Sequence, residues 1–331
     1  MSKPIVVVVP GQELCRDILS ESAKAKLESF AAPLWNTGEK PLTAEQLQER
    51  LPGAWGLLTS WGVPKFTEEM LASADQLVIV GHAAGSVRAM FPIVANHGIT
   101  VVNAAATIAD SVAEFTLLMM LALLRNYQPM NAQLKAGERW PTRANIRELY
   151  GKRVGLVSAS MVGRRVLRLL EPFHCQVIVY DPYLPQSAAQ EMGVELASLE
   201  ELMSTCDVIS VHAPVTDETI GMISAQHVRM IRDGAVLVNN ARAVVMDYDA
   251  LLQELQTGRF SAALDVFPQE PLAEDSPFRK LDNVILTPHM AGWATESRLR
   301  LAATVIDDME RFLQGKPLLN WVNPDKIKIL A

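Results

Sequence analysis

The sequence predicts an α/β fold built from two doubly wound units. Short apolar runs rich in β-branched residues alternate with helix-like segments along the chain, which is the pattern of parallel strands joined by helices. Within those runs the apolar residues are continuous and do not alternate with polar ones, as expected when helices cover both faces of a sheet. The length of 331 residues corresponds to about two domains.

The later part of the chain is predicted to form the larger unit, a parallel, doubly wound sheet of six strands. These strands are expected at Arg153 to Val157, Gln176 to Tyr180, Asp207 to Val211, Ala235 to Asn239, Ala262 to Val266 and Asn283 to Leu286. The earlier part is predicted to be a flavodoxin-sized α/β unit. Its strands are expected at Pro4 to Val9, Gly56 to Thr59, Leu77 to Val80 and Thr100 to Val102.

A nearly all-apolar helix is predicted between the two sets of strands, at Asp110 to Tyr127. Ser111 and Glu114 have the S-x-x-E spacing of a capping box, which places the start of the helix near Ser111. A helix this apolar is expected to be buried on most sides. The last helical segment, Thr295 to Leu313, follows the final strand and is expected to cross back to the first unit.

Composition and charge exclude several classes of partner and site. Lys and Arg number 30 against 37 Asp and Glu, a formal charge of −7, so no basic surface is expected for nucleic acid or anionic lipid. Three cysteines without C-x-x-C spacing indicate a reducing, cytoplasmic setting, in which Cys175 and Cys206 are expected to be inert buried thiols. The histidines lack metal-ligand spacing, so no metal is expected.

Neither a signal peptide nor a membrane span is expected. The N-terminal apolar run, Ile5 to Val9, is too short for a signal peptide. The longest apolar stretch, Phe115 to Leu124, falls below the roughly 18 residues that a membrane span requires. A soluble protein is therefore expected.

The segment Gly151 to Gly163 is predicted to hold a dinucleotide cofactor. A strand there runs into a helix at the place where such folds carry G-x-G-x-x-G, but only the third glycine is present, in Ser158-Ala159-Ser160-Met161-Val162-Gly163. The N–H groups at the start of this helix, near Met161, still form an anion site, and a serine hydroxyl could donate to phosphate. The serines also add a Cβ where a pyrophosphate needs close approach of the backbone.

Asp181 ends the next predicted strand, 18 residues after Gly163, where an acid would accept hydrogen bonds from a ribose diol and repel a 2′-phosphate. This position favours NAD over NADP. Two alternatives stay open from the residues alone. One is a structural serine-rich turn with a capping aspartate, and the other is a phosphate accepted by Arg164 or Arg165.

Three further segments follow predicted strands and carry side chains suited to chemistry on a small anion. They are Val238 to Arg242, Leu264 to Leu272 and Thr287 to Gly292. Ligands bind at the carboxyl edge of an open α/β sheet, so Arg242, Glu270 and His289 are expected to converge there. Taken singly, each has a structural alternative: a surface ion pair, a helix-start acid and a hydrogen-bonded histidine after a proline turn, respectively.

Together with their surroundings, these segments resemble the D-2-hydroxyacid dehydrogenase family. The resemblance covers nearly the whole chain, from Val101-Val102-Asn103 and Val112-Ala113-Glu114 through Gly151-Lys152 and His212-Ala213-Pro214 to Asn320-Trp321-Val322-Asn323-Pro324. It implies a Rossmann NAD-binding domain at residues 104–295, inserted into a flavodoxin-like substrate domain at residues 1–103 and 296–331. It also implies an active site in the cleft between these domains. A homodimer through the cofactor domain is expected, with Val112 to Leu124 as an interface.

The reaction of that family requires these residue types. Moving a hydride between C2 of a hydroxy acid and nicotinamide C4 needs a group that exchanges the hydroxyl proton, and His289 is the candidate. Glu270 is expected to orient the imidazole and to favour its protonated form. Arg242 is expected to supply the planar bidentate donor that the substrate's carboxylate and developing alkoxide need.

The predicted cofactor-binding residues come from both groups of motifs. Backbone groups of Asn240 and Ala241 are expected beside the nicotinamide ring, and Asp265 resembles the family residue near the carboxamide. The full predicted set is Ser160, Met161, Val162, Gly163, Asp181, Asn240, Ala241, Asp265 and Gly292.

Two segments depart from the family pattern and leave the substrate open. Arg88 and Ala89 occupy the place of an Asp-containing pair, and Ala104 to Ile108 lacks the usual Pro, Gly and Asn. Ser60-Trp61-Gly62 is a candidate substrate loop, although Trp61 and Trp293 are also explained as packing residues. Phosphoglycerate is therefore not assumed as the substrate.

The predicted function is NAD-dependent interconversion of a small D-2-hydroxy acid and its 2-keto acid, running as a reductase. Formate dehydrogenase is disfavoured, because its resemblance would place glutamine and not Glu270 beside the histidine. The alternative is a catalytically silent NAD(H)-sensing protein of the same fold, similar to the corepressors of this family. The intact Arg242, Glu270 and His289 set argues against it, although such corepressors can retain the same residues.

Overall fold

The computed structural model describes residues 2–88, 90–141, 143 and 145–324. These residues divide into two compact units, one within Met1–Ile108 and Trp293–Ala331 and the other within Ala109–Gly292. The domain boundaries inferred from the sequence, 103/104 and 295/296, stay a prediction. Ala89 and residues 325–331, which belong to the predicted substrate domain, lie outside the described residues.

The first unit contains a five-stranded parallel sheet in the order β2-β1-β3-β4-β5. Its strands are β1 (Ile5–Val8), β2 (Ala32–Leu34), β3 (Gly56–Thr59), β4 (Ile79–His82) and β5 (Thr100–Asn103). Its helices are α1 (Gln12–Ile18), α2 (Glu21–Phe30), α3 (Ala44–Gln48), α4 (Glu68–Ala72), α5 (Phe91–Asn96) and α13 (Thr295–Leu313).

Both faces of this first sheet are covered, and β1 shows why its apolar run is continuous. Val6 and Val8 point into one core, which they share with residues of α13 such as Val305. Val7 lies in a second core on the opposite face, together with residues of α3 and α5. Because successive residues of a strand face opposite sides, a doubly covered strand has no position left for a polar side chain.

Helix α13 packs on the first unit, as its place after the last strand predicted. Its buried face carries Leu301, Val305 and Ile306 against α1, α2 and the sheet. The buried carboxylate of Asp308 accepts hydrogen bonds from the backbone N–H groups of Leu319 and Asn320, at 2.7 and 2.9 Å. These contacts hold the segment after α13 on the same unit.

The second unit contains a seven-stranded parallel sheet in the order β12-β11-β10-β9-β6-β7-β8. Its strands are β6 (Arg153–Val157), β7 (Gln176–Tyr180), β8 (Glu195–Leu196), β9 (Val208–Val211), β10 (Val236–Asn239), β11 (Ser261–Leu264) and β12 (Val284–Leu286). The order reverses between β6 and β9. In open α/β sheets such a switch point marks the crevice where a dinucleotide binds.

The helices of the second unit follow the predicted alternation with strands. They are α6 (Ala105–Leu124), which begins in the first unit, α7 (Tyr127–Lys135), α8 (Met161–Leu170), α9 (Gln186–Glu191), α10 (Leu199–Thr205), α11 (Ala225–Met230) and α12 (Tyr248–Gln256). The predicted α/β class with two doubly wound sheets and a Rossmann strand order is therefore confirmed.

The sequence prediction missed two edge strands, β2 and β8. β2 contains Pro33 and β8 has only two residues, so neither shows the continuous apolar pattern of a buried strand. The sheets have five and seven strands, against the predicted four and six. The bounds of the other strands lie within two residues of the predicted ones.

The predicted capping box at Ser111 and Glu114 is wrong. α6 begins at Ala105, near Asn103, whose side-chain oxygen accepts a hydrogen bond from the Ala105 N–H at 3.4 Å. Ser111 lies inside the helix and donates to the carbonyl of Ala291 at 3.2 Å, while Glu114 is exposed. The S-x-x-E spacing is common within helices as well as at their starts, so the motif alone did not locate the terminus.

A smaller part of the surface of α6 is buried than the sequence predicted. One face packs into the core of the second unit through residues such as Met120 and Leu124, but Leu118 on the other side is 54% exposed. At 20 residues, α6 is long and apolar enough to cross a membrane by length and composition, which corrects the estimate from the shorter stretch Phe115 to Leu124. Its packed face is the feature expected of a core helix.

Replacement of a buried residue of α13 tests its packing on the first unit. Ile306→Ala removes a fully buried side chain, so we expect the free energy of unfolding to fall by about 2–5 kcal/mol, because lost burial and a cavity both act. Arg300→Ala, an exposed position on the same helix, serves as the control and should change it by less than about 0.5 kcal/mol. Urea unfolding measures both, and equal effects would contradict the described packing.

Candidate active site

A histidine and a glutamate form a close pair at the carboxyl edge of the second sheet. His289 Nδ1 lies 2.7 Å from Glu270 Oε2. Glu270 follows β11 and His289 follows β12, and these strands are neighbours in the sheet. The pairing occupies Nδ1 and leaves Nε2 as the ring nitrogen available to a ligand.

A backbone hydrogen bond to its second carboxylate oxygen also fixes the position of Glu270. Glu270 Oε1 accepts a hydrogen bond from the backbone N–H of Phe267 at 3.0 Å. Burial acts to raise the pKa of Glu270, but the hydrogen bonds from His289 and Phe267, with the charges of His289 and Arg242, lower it overall. The carboxylate therefore stays ionised at neutral pH. It can accept a hydrogen bond from the Nδ1–H group of the imidazole.

Arg242 follows β10, the strand next to β11, so the third predicted residue comes from the same sheet edge. Its Nη1 donates to the carbonyl of Ala241 at 2.8 Å. Burial lowers the pKa of Arg242 from its ordinary value, and the charge of Glu270 opposes that change. A guanidinium remains charged near neutral pH. The structure thus brings an arginine, a carboxylate and an imidazole to three adjacent strand ends.

The loop that carries His289 is anchored by Asp265, which is 1% exposed. Asp265 Oδ1 accepts from Thr287 Oγ1 at 2.6 Å and from the Met290 N–H at 2.8 Å. Its Oδ2 accepts from the Ala291 N–H at 2.9 Å. His289 itself has a φ of +52°, a conformation that non-glycine residues rarely adopt and that a surrounding hydrogen-bond network must maintain.

The family resemblance implies a contact of Asp265 with the nicotinamide carboxamide, and that contact stays a prediction. The anchoring of the His289 loop was not foreseen. Nothing local to Asp265 shows it, since Thr287, Met290 and Ala291 follow Asp265 by more than twenty residues. A hydroxyl residue followed by proline and histidine after the next strand is the only sequence signal that could have suggested it.

A second network supports the loop that carries Arg242. Asn239 Nδ2 donates to the carbonyl of Arg242 at 3.3 Å and to Tyr248 Oη at 3.2 Å. Tyr248 Oη donates in turn to the carbonyl of Val266 at 2.7 Å, and burial raises the pKa of this phenol. Sequence reasoning gave no role to Asn239 or Tyr248. Their hydrogen bonds fix the backbone at Arg242 and at Val266, which precedes Glu270 on the same loop.

The other residues predicted beside the nicotinamide occupy the same edge. Asn240 turns its side chain toward α6, where Nδ2 donates to Thr116 Oγ1 at 3.2 Å, so only its backbone can face a ligand. The N–H of Ala241 donates to Asn239 Oδ1 at 3.1 Å. Gly292 is the last residue of the second unit and is half-buried. Their contacts with a cofactor stay predictions.

The loop between β6 and α8 ends at a helix N-terminus whose backbone N–H groups can receive an anion. Ser160 caps α8, and its Oγ accepts from the Gly163 N–H at 3.3 Å. The N–H groups of Met161 and Val162 stand in the first turn of α8, where a helix has no internal acceptors and its dipole favours an anion. A Cβ on Gly163 would lie 2.3 Å from the carbonyl oxygen of Ser158, so only glycine allows this close packing.

Asp181 lies beside this loop, at the end of β7, and two of the three arginines of α8, Arg164 and Arg165, have protein partners. Asp181 Oδ2 accepts from the Ala159 N–H at 2.9 Å. Arg164 Nε donates to the carbonyl of Ala159 at 2.9 Å, and Arg165 forms an ion pair with Asp110. The residues present therefore offer N–H donors for phosphates at α8 and a carboxylate for a ribose at Asp181, and a cofactor contact at either place stays a prediction.

A cavity of about 540 Å³ adjoins the Glu270–His289 pair. Its walls are mainly apolar and include Phe267, Leu272 and Leu286. An apolar enclosure with a few polar groups at one side is the usual form of a small-molecule site. The pair therefore faces space that a small ligand can occupy.

Burial disfavours the charged form of two further histidines, His82 and His212, and of two cysteines, Cys175 and Cys206. Burial lowers the pKa of His82 to about 4 and that of His212 to about 3, so both are neutral. Burial also raises the pKa of Cys206 to about 11, and the pKa of Cys175 is raised as well. Cys206 is buried as predicted, but Cys175 is only partly buried. Among the described residues no three His, Cys, Asp or Glu side chains are placed to hold a metal ion.

Comparison with known proteins identifies similar sequences along nearly the whole chain. Residues 117–291 match the family model described as D-isomer specific 2-hydroxyacid dehydrogenase, NAD binding domain. A D-3-phosphoglycerate dehydrogenase of Methanocaldococcus jannaschii is 36% identical over 318 residues, covering 95% of this chain and 60% of that protein. A glyoxylate reductase of Korarchaeum cryptofilum is 30% identical over 325 residues, covering 97% of this chain and 98% of the relative.

A solved structure shows the same fold. A phosphoglycerate oxidoreductase from Rhizobium etli matches with a TM-score of 0.82 at 29% identity, covering 97% of this chain and 99% of that chain. The chain spans 60% of the M. jannaschii dehydrogenase and 50% of a D-3-phosphoglycerate dehydrogenase from Archaeoglobus fulgidus. NAD is the cofactor for which the matched domain is named.

Stability measurements across pH test the described surroundings of Glu270. Its pKa in the folded protein is lower than the ordinary value of 4.5, so its ionised form stabilises the fold above that pH. This contribution is lost as the pH falls through the lower, folded pKa. The difference in Tm between the wild type and Glu270→Gln should therefore shrink from about pH 5 to about pH 3. A difference that grows over this range would contradict the described hydrogen bonds.

Proposed function

Because the chain belongs to the D-isomer specific 2-hydroxyacid dehydrogenase family, we propose that it is an NAD-dependent oxidoreductase. Its reaction interconverts a small D-2-hydroxy acid and the corresponding 2-keto acid, and runs as a keto-acid reductase. The observation that carries this proposal is the 2.7 Å contact between His289 Nδ1 and Glu270 Oε2, beside Arg242 at the adjoining strand end. An imidazole with one nitrogen held by a carboxylate is suited to exchange a proton at the other.

The chain binds the nucleotide through the loop between β6 and α8. The backbone N–H groups of Met161 and Val162 donate to its phosphates, and Asp181 accepts from its ribose. When bound, NAD supplies or takes up the hydride at its nicotinamide ring. The backbone of Asn240 and Ala241 would bound one side of that ring.

The proton of the reaction is handled by His289. As the substrate carbonyl carbon gains the hydride, its oxygen gains the proton from His289 Nε2, and the reverse transfer accompanies oxidation. Glu270, ionised at neutral pH, holds the Nδ1 proton and offsets the positive charge of the imidazolium. The guanidinium of Arg242 binds the carboxylate of the substrate, because its planar fork matches the two oxygens.

The chemical nature of Glu270 separates this reaction from formate oxidation. Formate carries no hydroxyl group, so its oxidation to carbon dioxide releases no proton that must be relayed from oxygen. A carboxylate that favours the imidazolium is then of no use. The anchored Glu270 therefore supports a hydroxy acid as the substrate.

The substrate beyond its 2-hydroxy acid group stays open. Relatives of similar identity are named after phosphoglycerate and after glyoxylate. The candidate substrate loop Ser60-Trp61-Gly62 leaves Trp61 46% exposed. We propose a small organic acid and no nucleic acid as the ligand, since the chain is acidic. A cytoplasmic location is proposed on the same grounds of composition and on the metabolic enzymes to which the chain is similar.

Removal of His289 tests catalysis against the alternative of a silent NAD(H) sensor. Wild-type protein should oxidise NADH with at least one member of a panel of 2-keto acids, followed by absorbance at 340 nm. His289→Ala should lower kcat by about 10²–10⁴-fold, since a positioned acid is lost, and should keep its NADH affinity.

His97→Ala is the matched control for this variant. His97 Nε2 lies 2.7 Å from Glu68 Oε2, so it forms a similar histidine–glutamate pair in the first unit. This substitution should leave kcat within about twofold. Tight NADH binding without turnover of any keto acid by the wild type would favour the sensor instead.

We also propose a homodimer through the second unit. Leu118 of α6 is 54% exposed, Tyr127 and Leu134 of α7 are 64% and 57% exposed, and Trp140 is 73% exposed. Such a series of large apolar side chains on one segment is unusual on the surface of a monomer. A second copy of the chain is the occupant we propose for this surface.

Light scattering after size-exclusion chromatography tests the dimer. The wild type should have twice the mass of one chain, and Leu118→Glu should shift it toward one chain, because a buried unpaired charge opposes association. Leu319→Glu is the control, since Leu319 is 71% exposed and belongs to the first unit. A wild-type protein with the mass of a single chain would contradict the proposal.

A further inference from the structure

The loop between β6 and α8 is closed onto the carboxylate of Asp181. Asp181 Oδ2 accepts from Ser158 Oγ at 3.2 Å and from the Ala159 N–H at 2.9 Å. Asp181 Oδ1 accepts from the Tyr183 N–H at 2.9 Å. Ser158 is one of the two serines that replace a glycine of the dinucleotide pattern, so this contact arises from the departure noted in the sequence.

The hydrogen bonds to Asp181 leave little room for a ribose. A carboxylate has about four acceptor positions, two on each oxygen. Here both positions on Oδ2 and one on Oδ1 are used by the protein. A ribose diol presents two hydroxyl groups, and each needs one position. The second hydroxyl can be accepted only if one of the existing hydrogen bonds is released.

Ser158 is the partner that can be released. The Ala159 and Tyr183 donors are backbone N–H groups, fixed by the loop and by the turn after β7. The Ser158 hydroxyl, in contrast, stands on a side chain that can rotate about one bond. The backbone of Ser158 is further held by its N–H, which donates to the carbonyl of Tyr180 at 2.8 Å.

We propose that the Ser158 hydroxyl occupies the Asp181 position that the second ribose hydroxyl would otherwise use. Ser158 thereby lowers the affinity of the chain for a nucleotide with an intact ribose diol. It acts as a positioning residue on Asp181 and does not contact the reacting atoms. This inference depends on nucleotide binding at this loop and is independent of the proposed turnover.

The backbone conformation of Ser158 gives its hydrogen bond to Asp181 a role in the stability of the protein without nucleotide. Ser158 has a φ of +81°, a conformation that glycine adopts without strain and that a residue with a Cβ does not. The bond to Asp181 offsets part of this strain. Loss of the hydroxyl should therefore destabilise the free protein while it improves nucleotide binding, and these two effects have opposite signs.

Isothermal titration calorimetry with ADP and 2′-deoxy-ADP tests the proposal on the full-length chain. The two probes differ only in the second ribose hydroxyl. For the wild type we expect the Kd ratio of 2′-deoxy-ADP to ADP to be near one, because the added hydroxyl only exchanges with Ser158. For Ser158→Ala this ratio should rise about fivefold, the effect of one net hydrogen bond, through tighter binding of ADP.

Two further variants serve as controls for this measurement. Ser198→Ala removes the cap of α10, where Ser198 Oγ accepts from the Glu201 N–H at 3.1 Å, and leaves Asp181 and its partners in place, so it should lower Tm and keep the ratio at the wild-type value. Ser158→Gly removes the hydroxyl and also relieves the strain at positive φ, so it should raise the ratio as Ser158→Ala does without loss of Tm. It keeps the proposal testable if Ser158→Ala folds poorly.

Three results would overturn the proposal. The first is an unchanged ratio in Ser158→Gly and Ser158→Ala. The second is weaker binding of ADP by both variants, which would mean that Ser158 prepares Asp181 for the ribose. The third is that neither the wild type nor Ser158→Gly binds ADP or 2′-deoxy-ADP.

Discussion

The site depends most on the hydrogen bonds that the buried carboxylate of Asp265 accepts. This carboxylate is almost fully removed from solvent, which is unfavourable for a charge unless hydrogen bonds replace the lost water. Three donors from Thr287, Met290 and Ala291 do so, and all three belong to the loop that carries His289. The same contacts hold His289 at a positive φ, which places its imidazole beside Glu270. Without these hydrogen bonds, the loop would lack the contacts that offset the strain of the positive φ at His289.

The parallel sheet of the second unit determines which residues meet. β10, β11 and β12 are consecutive neighbours, so the segments that follow them lie at one edge. Arg242, Glu270 and His289 are far apart along the chain and come together through this arrangement. The network of Asn239 and Tyr248 ties the first two of these segments to each other, since Tyr248 donates to the carbonyl of Val266.

The sequence was sufficient for features that depend on local pattern. Strands covered on both faces appear as continuous apolar runs, so ten of the twelve strands in the described part of the chain were predicted within two residues of their bounds. β2 and β8 are short edge strands without that pattern and were missed. The start of α6 was misplaced because Ser111 has the spacing of a cap but is used within the helix, where it donates to Ala291.

Features that depend on contacts between distant residues could not be predicted in the same way. Arg242, Glu270 and His289 were recognisable because each follows a strand end in a distinctive motif. Asp265, Asn239 and Tyr248 act through hydrogen bonds whose partners no local pattern identifies. The same holds for the Ser158–Asp181 contact, which joins residues 23 positions apart. The sequence showed that two glycines were replaced, and only the structure showed what one replacement contacts.

The most direct test of the account is a crystal structure of the chain with NADH and oxamate, an unreactive analogue of a 2-keto acid. We expect both carboxylate oxygens of oxamate to accept hydrogen bonds from the Arg242 guanidinium. Its carbonyl oxygen should lie within about 3 Å of His289 Nε2, with Glu270 still bound to Nδ1. Oxamate bound beside the nicotinamide but away from Arg242 and His289 would contradict the assigned roles of all three residues.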